Sequence, residues 1–183
     1  MRLQSQTLLN DIRALFAERG DEPYGESVSQ RQHALQCVVL AEQADCAPSL
    51  IVAALLHDIG HLYEDPAEID RRDLRHEELA ATLLRGCLPE SVWQPIRLHV
   101  AAKRYLCARE PEYFAGISPA SRQSLALQGG PFSEAECEAF LRAPYAVDAI
   151  VLRRIDDQGK DPAMPTPPLD HFLPLVDGLV LSK

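Results

Sequence analysis

The strongest constraint on the fold is an unbroken apolar run at residues 50–56, the longest in the chain. Pro48 precedes it, where proline favours the first turn of a helix, and Gly60 marks the expected end. A helix that is apolar on every side must be covered by protein on every side, and this run is too short to cross a bilayer. We therefore expect a central buried helix at 48–60 with other elements packed around it.

The rest of the chain also has helical periodicity. Leu8, Ile12 and Phe16 recur at helical spacing, and a capping box at 29–32 opens a helix that runs to about residue 42. Further helices are expected at about 76–85, 89–106, 119–129 and 145–156, with a second capping box at 133–136. Alternating patterns typical of strands are nearly absent. The prediction is an all-α fold, an irregular helical bundle.

Length and composition narrow the classes of protein further. The 183 residues suit one domain over 1–183, with 161–183 as a proline-rich C-terminal arm outside the core. A net charge of −9 disfavours nucleic acids and anionic membranes as partners. The five cysteines form no C-x-x-C pair, and the N-terminus lacks the apolar core of a signal peptide. A cytoplasmic protein is therefore expected.

Six polar side chains lie on helix faces that the pattern turns inward. Asp58 directly follows the apolar run, where an ionised carboxylate is costly unless a cation or strong donors compensate it. Imidazole and carboxylate together suit a transition metal. Any one of these residues alone could be a hydrogen-bonded core residue, but together they predict a metal centre. The set is His33, His57, Asp58, His76, His99 and Asp156.

The order His33, His57-Asp58, Asp156 resembles the H…HD…D signature of the all-α, metal-dependent HD-domain superfamily. Six segments are similar to the phosphonate-degrading HD-domain oxygenases of the PhnZ type. They are GESVSQRQHALQ, LLHDIGH, RHEELAA, HVAAKRYL, SLALQGGP and DDQGK. The resemblance implies an enzyme that uses O2 and two iron ions, Fe(II) and Fe(III). His33, His57, Asp58 and Asp156 would hold one iron, and His76, His99 and a bridging Asp58 the other.

The resemblance also implies a substrate site. Lys103, one turn after His99, would bind a phosphonate, and His61 would orient substrate or oxygen. Glu26 would face a cationic amine. Ser121, Gln128 and Arg153 complete the expected substrate-binding residues.

One position departs from the family pattern. The family places a tyrosine three residues before the glutamate of its GE pair, where it can bind the second iron. Here Tyr24 stands two residues before Glu26, and Pro23 takes the aligned position. Either Tyr24 serves as this gate through an adjusted loop, or the gate is lost.

The activity that the resemblance implies is O2-dependent cleavage of the C–P bond of a 1-hydroxyalkylphosphonate, giving phosphate and a carboxylate. The substrate would be 2-amino-1-hydroxyethylphosphonate, its trimethylammonium analogue or hydroxymethylphosphonate, supplied by an upstream hydroxylase. Two alternatives remain open. One is a metal-dependent HD-domain phosphohydrolase of a phosphate ester or nucleotide, and the other is a non-catalytic metal-binding protein.

Overall fold

The computed structural model describes residues 3–24, 27–63 and 75–182. Within these ranges the chain forms ten α-helices and a short 3₁₀ helix, which confirms the all-α prediction. The first three helices are α1 (Leu8–Arg19), α2 (Gln30–Gln43) and α3 (Pro48–Leu56), followed by the 3₁₀ helix (Ile59–Tyr63). The next four are α4 (His76–Leu84), α5 (Glu90–Arg109), α6 (Pro111–Gly116) and α7 (Pro119–Leu127). The last three are α8 (Glu134–Leu141), α9 (Ala146–Gln158) and α10 (Leu169–Asp177).

The longest helix, α5, organises the bundle. It packs against α3, α4 and α9, while α9 also packs against α2 and α3. The helix continues through Pro95, and both predicted capping boxes form, at Ser29 and at Ser133. As expected, α3 is buried on nearly all sides. The apolar run thus forms the centre around which the other helices gather.

The apolar run forms a shorter helix than predicted. α3 ends at Leu56, and Gly60 lies inside the 3₁₀ helix instead of ending α3. His57 is the C-terminal cap of α3, so Asp58 falls in the turn between the two helices. This turn aims the carboxylate into the interior.

The C-terminal region corrects a second expectation. Residues after 161 begin without helix, but α10 follows and places Phe172, Leu173 and Val176 in the main hydrophobic core. α10 packs against α1 and α3. The expectation that this region stays outside the core is therefore wrong for α10.

Among the helices that the structure describes, none is both long enough and apolar enough to pass through a bilayer.

Candidate metal centre and substrate site

Five helices meet around a buried group of polar side chains. His33 comes from the first turn of α2, and His76 is the first residue of α4. His99 lies in the middle of α5, and Asp156 lies near the end of α9. The structure brings all six expected ligands into this group, and all are buried: His33, His57, Asp58, His76, His99 and Asp156.

The first imidazole pair joins α2 to the end of α3. The Nε2 atoms of His33 and His57 are 3.1 Å apart. Nδ1 of His33 donates to the carbonyl oxygen of Gly159 at 2.8 Å, and Nδ1 of His57 donates to that of Ala54 at 2.9 Å. Because the backbone takes both Nδ1 protons, the two Nε2 atoms face each other, and their lone pairs would be opposed if both rings were neutral.

A second imidazole pair lies between α4 and α5. The Nε2 atoms of His76 and His99 are also 3.1 Å apart. Nδ1 of His99 donates to the carbonyl oxygen of Ile96 at 2.7 Å, which leaves Nε2 as its inward lone pair.

Asp58 lies between the two pairs. Its Oδ2 is 3.3 Å from Nε2 of His57 and 3.6 Å from that of His33. Its Oδ1 is 3.3 Å from Nε2 of His76 and 3.6 Å from that of His99. Each carboxylate oxygen therefore serves one imidazole pair. Oδ1 of Asp156 lies 3.5 Å from Nε2 of His33, so Asp156 belongs to the first pair only.

The spacing fits a pair of cations. Two nitrogen ligands about 2.1 Å from one ion, at angles between a right angle and the tetrahedral value, are about 3.0–3.4 Å apart. Both Nε2–Nε2 distances of 3.1 Å fall in this range. Asp58 Oδ1 is buried and accepts no well-aligned hydrogen bond within the described part of the chain. This donor set suits iron, manganese or zinc.

The pKa values of His33 and His57 show that a proton lies between them when no metal ion is bound. Burial and the neighbouring His57 lower the pKa of His33 to about 4. Burial opposes charge on His57 too, but the Asp58 carboxylate outweighs it and raises the pKa of His57 to about 9. Without a cation, one proton on His57 therefore separates the two lone pairs. A metal ion must displace that proton.

Sequence reasoning missed one neighbour of this centre. Cys37 is not among the expected site residues, but its Sγ lies 3.7 Å from Nε2 of His33. Burial, and then Asp156, raise the pKa of the Cys37 thiol well above its usual value. The thiol is therefore neutral while no cation is bound, and with His33 and His57 it forms a group whose ligand atoms lie within 4.8 Å of one another.

Two aromatic rings border the imidazoles. The ring of Tyr24 stacks on that of His33 with centroids 3.8 Å apart, and its hydroxyl is 3.3 Å from Oδ1 of Asp156. The ring of His61 stacks on that of His76 with centroids 3.9 Å apart. Tyr24 thus reaches the centre despite its shifted position in the sequence. Glu26 lies outside the described residues.

Lys103 is a buried cation one turn after His99 on α5, with only 3 % of its surface exposed. Its Nζ donates to Oγ of Ser124 at 2.7 Å, a partner that the sequence did not indicate. Burial, and then the nearby Arg153, lower the pKa of Lys103 to about 8. In the described part of the chain no carboxylate pairs with this ammonium. The arrangement favours an anion next to Lys103.

Arg153 contacts carboxylates of its own helix. Its Nη1 lies 2.7 Å from Oδ2 of Asp156, and its Nη2 pairs with Oδ1 of Asp157. Nη2 is also 3.4 Å from Oγ of Ser121, so Ser121 joins this group. Gln128 has a buried Oε1 without a hydrogen-bond partner among the described residues.

The helical fold and the buried His and Asp residues in the order H…HD…D are the features of an HD domain. The family model described as "HD domain" matches residues 31–124, which cover His33, both residues of the HD pair, His76 and His99. The match is slightly longer than half of the 183-residue chain.

The chain is similar to two named dioxygenases. One, 1-hydroxy-2-(trimethylamino)ethylphosphonate dioxygenase (glycine-betaine-forming) from Leisingera caerulea, is 42% identical over 98% of this chain and 93% of the relative. Hydroxymethylphosphonate dioxygenase from Gimesia maris is 40% identical over 86% of this chain and 81% of the relative. An uncharacterized protein of Acanthamoeba polyphaga mimivirus is 35% identical over 90% of this chain and 78% of the relative. The chain belongs to the HD-domain family, in its PhnZ-type group of phosphonate oxygenases.

Proposed function

We propose that this protein is an oxygenase that uses two iron ions and O2 to cleave the C–P bond of a 1-hydroxyalkylphosphonate. The observation that carries the proposal is Asp58 between two imidazole pairs, together with the buried ammonium of Lys103 on the helix that also carries His99. The two named relatives act on compounds of this class. A hydroxylase that places the hydroxyl group on C1 would supply the substrate.

The substrates of the two relatives share a phosphonate on a carbon that carries a hydroxyl group. The protein therefore needs a cation for the phosphonate, and Lys103 supplies it. They differ beyond this carbon. The first substrate has a second carbon, C2, that carries a trimethylammonium group, and the second substrate has no C2. A cationic C2 group needs a carboxylate or an aromatic face, and Glu26 and Tyr24 are the candidates.

The reaction balances without another reductant. One hydroxyphosphonate and one O2 give one carboxylic acid and one phosphoric acid: the C–P bond breaks, and each product gains one oxygen atom. When bound, the irons supply the redox chemistry that activates O2.

The side chains of this protein hold and orient the reactants. Asp58 and the two histidine pairs would hold the two ions, with Asp156 as a further ligand beside the first pair. Lys103, with Ser121 and Gln128, docks the phosphonate. Tyr24 and His61 cover the imidazoles and would direct the substrate towards them. Arg153 holds one oxygen of Asp156, so that the other faces the ion.

The experiment is to load the protein with ferrous iron and supply each of the three hydroxyphosphonates, with and without O2. We expect phosphate and carboxylate in equal amounts, only with O2, and for at least one substrate. Metal analysis of protein purified with and without air would show two irons per chain.

Phosphate release under strict anaerobiosis would contradict the oxygenase and identify a metal-dependent phosphohydrolase. Two bound metals with no turnover of any phosphonate or phosphate ester would identify a non-catalytic metal-binding protein.

A further inference from the structure

Behind Asp156 lies a polar network that joins Arg153 to Tyr113 and Asp157, two residues that the expected site did not include. Asp157 accepts from Nε of Arg153 at 3.1 Å, and Tyr113 donates its hydroxyl proton to the same Asp157 oxygen, Oδ2. The Tyr113 oxygen in turn accepts from Nε of Arg153 at 3.1 Å. The guanidinium, the carboxylate and the hydroxyl therefore form a closed triangle.

This triangle determines which oxygen of Asp156 remains for the metal. Nη1 of Arg153 lies 2.7 Å from Oδ2 of Asp156, while Oδ1 lies on the side of His33, 3.5 Å from its Nε2. A guanidinium has a rigid planar fork, so fixing one edge of Arg153 against Asp157 fixes the position of Nη1. The orientation of Asp156 thus depends on the partners of Arg153.

Tyr113 comes from a different part of the bundle than its partners. It lies on α6 and packs at the edge of a small hydrophobic cluster of Cys107, Ile117 and Leu125, apart from the main core. Burial, and then interaction with Asp157, raise the pKa of Tyr113, so its hydroxyl stays protonated and keeps donating. Its hydroxyl links α6 to the metal-facing end of α9.

We propose that Tyr113 and Asp157 are positioning residues, which hold Arg153 so that Asp156 presents Oδ1 to the ion between His33 and His57. The inference rests on the metal centre of the proposed function and not on the phosphonate reaction. It concerns one ion of the two, because Asp156 lies near the first imidazole pair only.

The test titrates metal-free protein with Co²⁺ against a competing chelator and follows the visible bands of the bound cobalt. In Tyr113→Phe we expect about threefold weaker binding at one of the two sites, and in Asp157→Asn about tenfold weaker binding at the same site. The other site keeps its affinity, and the thermal midpoint of metal-free Tyr113→Phe stays close to that of the parent. The matched control is Tyr105→Phe, whose ring packs on Phe140 away from the network.

Unchanged Co²⁺ affinity in both variants would overturn the proposal. Equal weakening of both sites, or a lowered melting midpoint of metal-free Tyr113→Phe, would also overturn it, because it would indicate a general structural role. Since the readout needs no phosphonate, it stays interpretable if turnover of the three substrates fails.

Discussion

At the scale of single residues, two buried charges carry most of the proposed chemistry. Asp58 is a carboxylate in the interior, and such a group is costly unless cations compensate it. Lys103 is an ammonium in the interior that donates one hydrogen bond to a serine hydroxyl. Its positive charge can therefore bind an anion. The same buried region thus offers a candidate cation site at Asp58 and, on the helix of His99, a candidate anion site at Lys103.

Removal of the Asp58 side chain should empty both metal sites. Asp58→Ala removes the two oxygens that face the two imidazole pairs, so the second pair keeps no carboxylate and the first keeps Asp156 alone. We expect metal analysis to find almost no bound metal, with the helical content by circular dichroism retained. Asp177→Ala, an exposed carboxylate on α10, is the control. A variant that still holds one ion per chain would contradict the bridging position.

Lys103 should make substrate capture depend on pH. The ammonium is the form that binds a phosphonate, and its pKa in the metal-free, substrate-free protein is lowered to about 8 by burial and by Arg153. As pH rises through this value the group loses its charge, so kcat/KM should fall above pH 8. Lys103→Met should lower kcat/KM by about ten- to a hundredfold with the metals retained.

Lys103→Arg separates charge from geometry, because guanidinium stays protonated over this range. Its kcat/KM should lack the decline near pH 8. Arg109→Met, an exposed cation at the end of the same helix, serves as the control. If kcat/KM of Lys103→Arg still falls near pH 8, a group other than Lys103 causes the fall.

At the scale of elements, the sequence predicted the inward faces but not how the central helix ends. Helical spacing placed His33, His99 and Asp156 inward, and the structure places them so. The 3₁₀ helix depends on a tertiary contact: a Cβ added to Gly60 would lie 2.1 Å from the carbonyl oxygen of His76. The α4 backbone approaches so closely only because Gly60 has no side chain. Local patterns carry no information about such a contact.

Gly60→Ala should therefore push α4 away from the 3₁₀ helix. We expect a loss of about 1–3 kcal/mol in the free energy of unfolding, as for other overpacked sites. His76 should move with α4, so the second metal site should lose more affinity than the first. Chemical denaturation and Co²⁺ titration measure these effects. The control is Gly116→Ala, because a Cβ added to Gly116 meets no atom within 4 Å. If both variants lose the same stability and the same Co²⁺ affinity, the close contact at Gly60 is not the cause.

At the scale of the whole molecule, the C-terminal region was the hardest to predict. Five prolines in this region are typical of a loose arm; they lie at 162, 165, 167, 168 and 174. They gave no indication of the short amphipathic helix that the structure shows. Pro168 precedes α10, and Pro174 lies inside it. The helix is stable here because α1 and α3 cover its apolar face. Only the assembled bundle supplies that surface.

Truncation of Phe172 tests whether α10 belongs to the core. The side chain is fully buried, so Phe172→Ala should cost about 3–5 kcal/mol in the free energy of unfolding. Urea denaturation measures the loss. Phe114→Ala is the matched control, because Phe114 is 37% exposed. A cost below that of the control would mean that α10 contributes little to the core.

The opposed imidazoles affect how long the folded protein survives in the cell. Four ring nitrogens that point at each other make the empty chain dependent on protons for internal compensation. Anything that binds only the native state shifts the folding equilibrium towards it, so each captured ion stabilises the folded chain. Copies made during metal shortage would open more often and reach proteases sooner. Supply of the ion would then set the abundance of the protein as well as its activity.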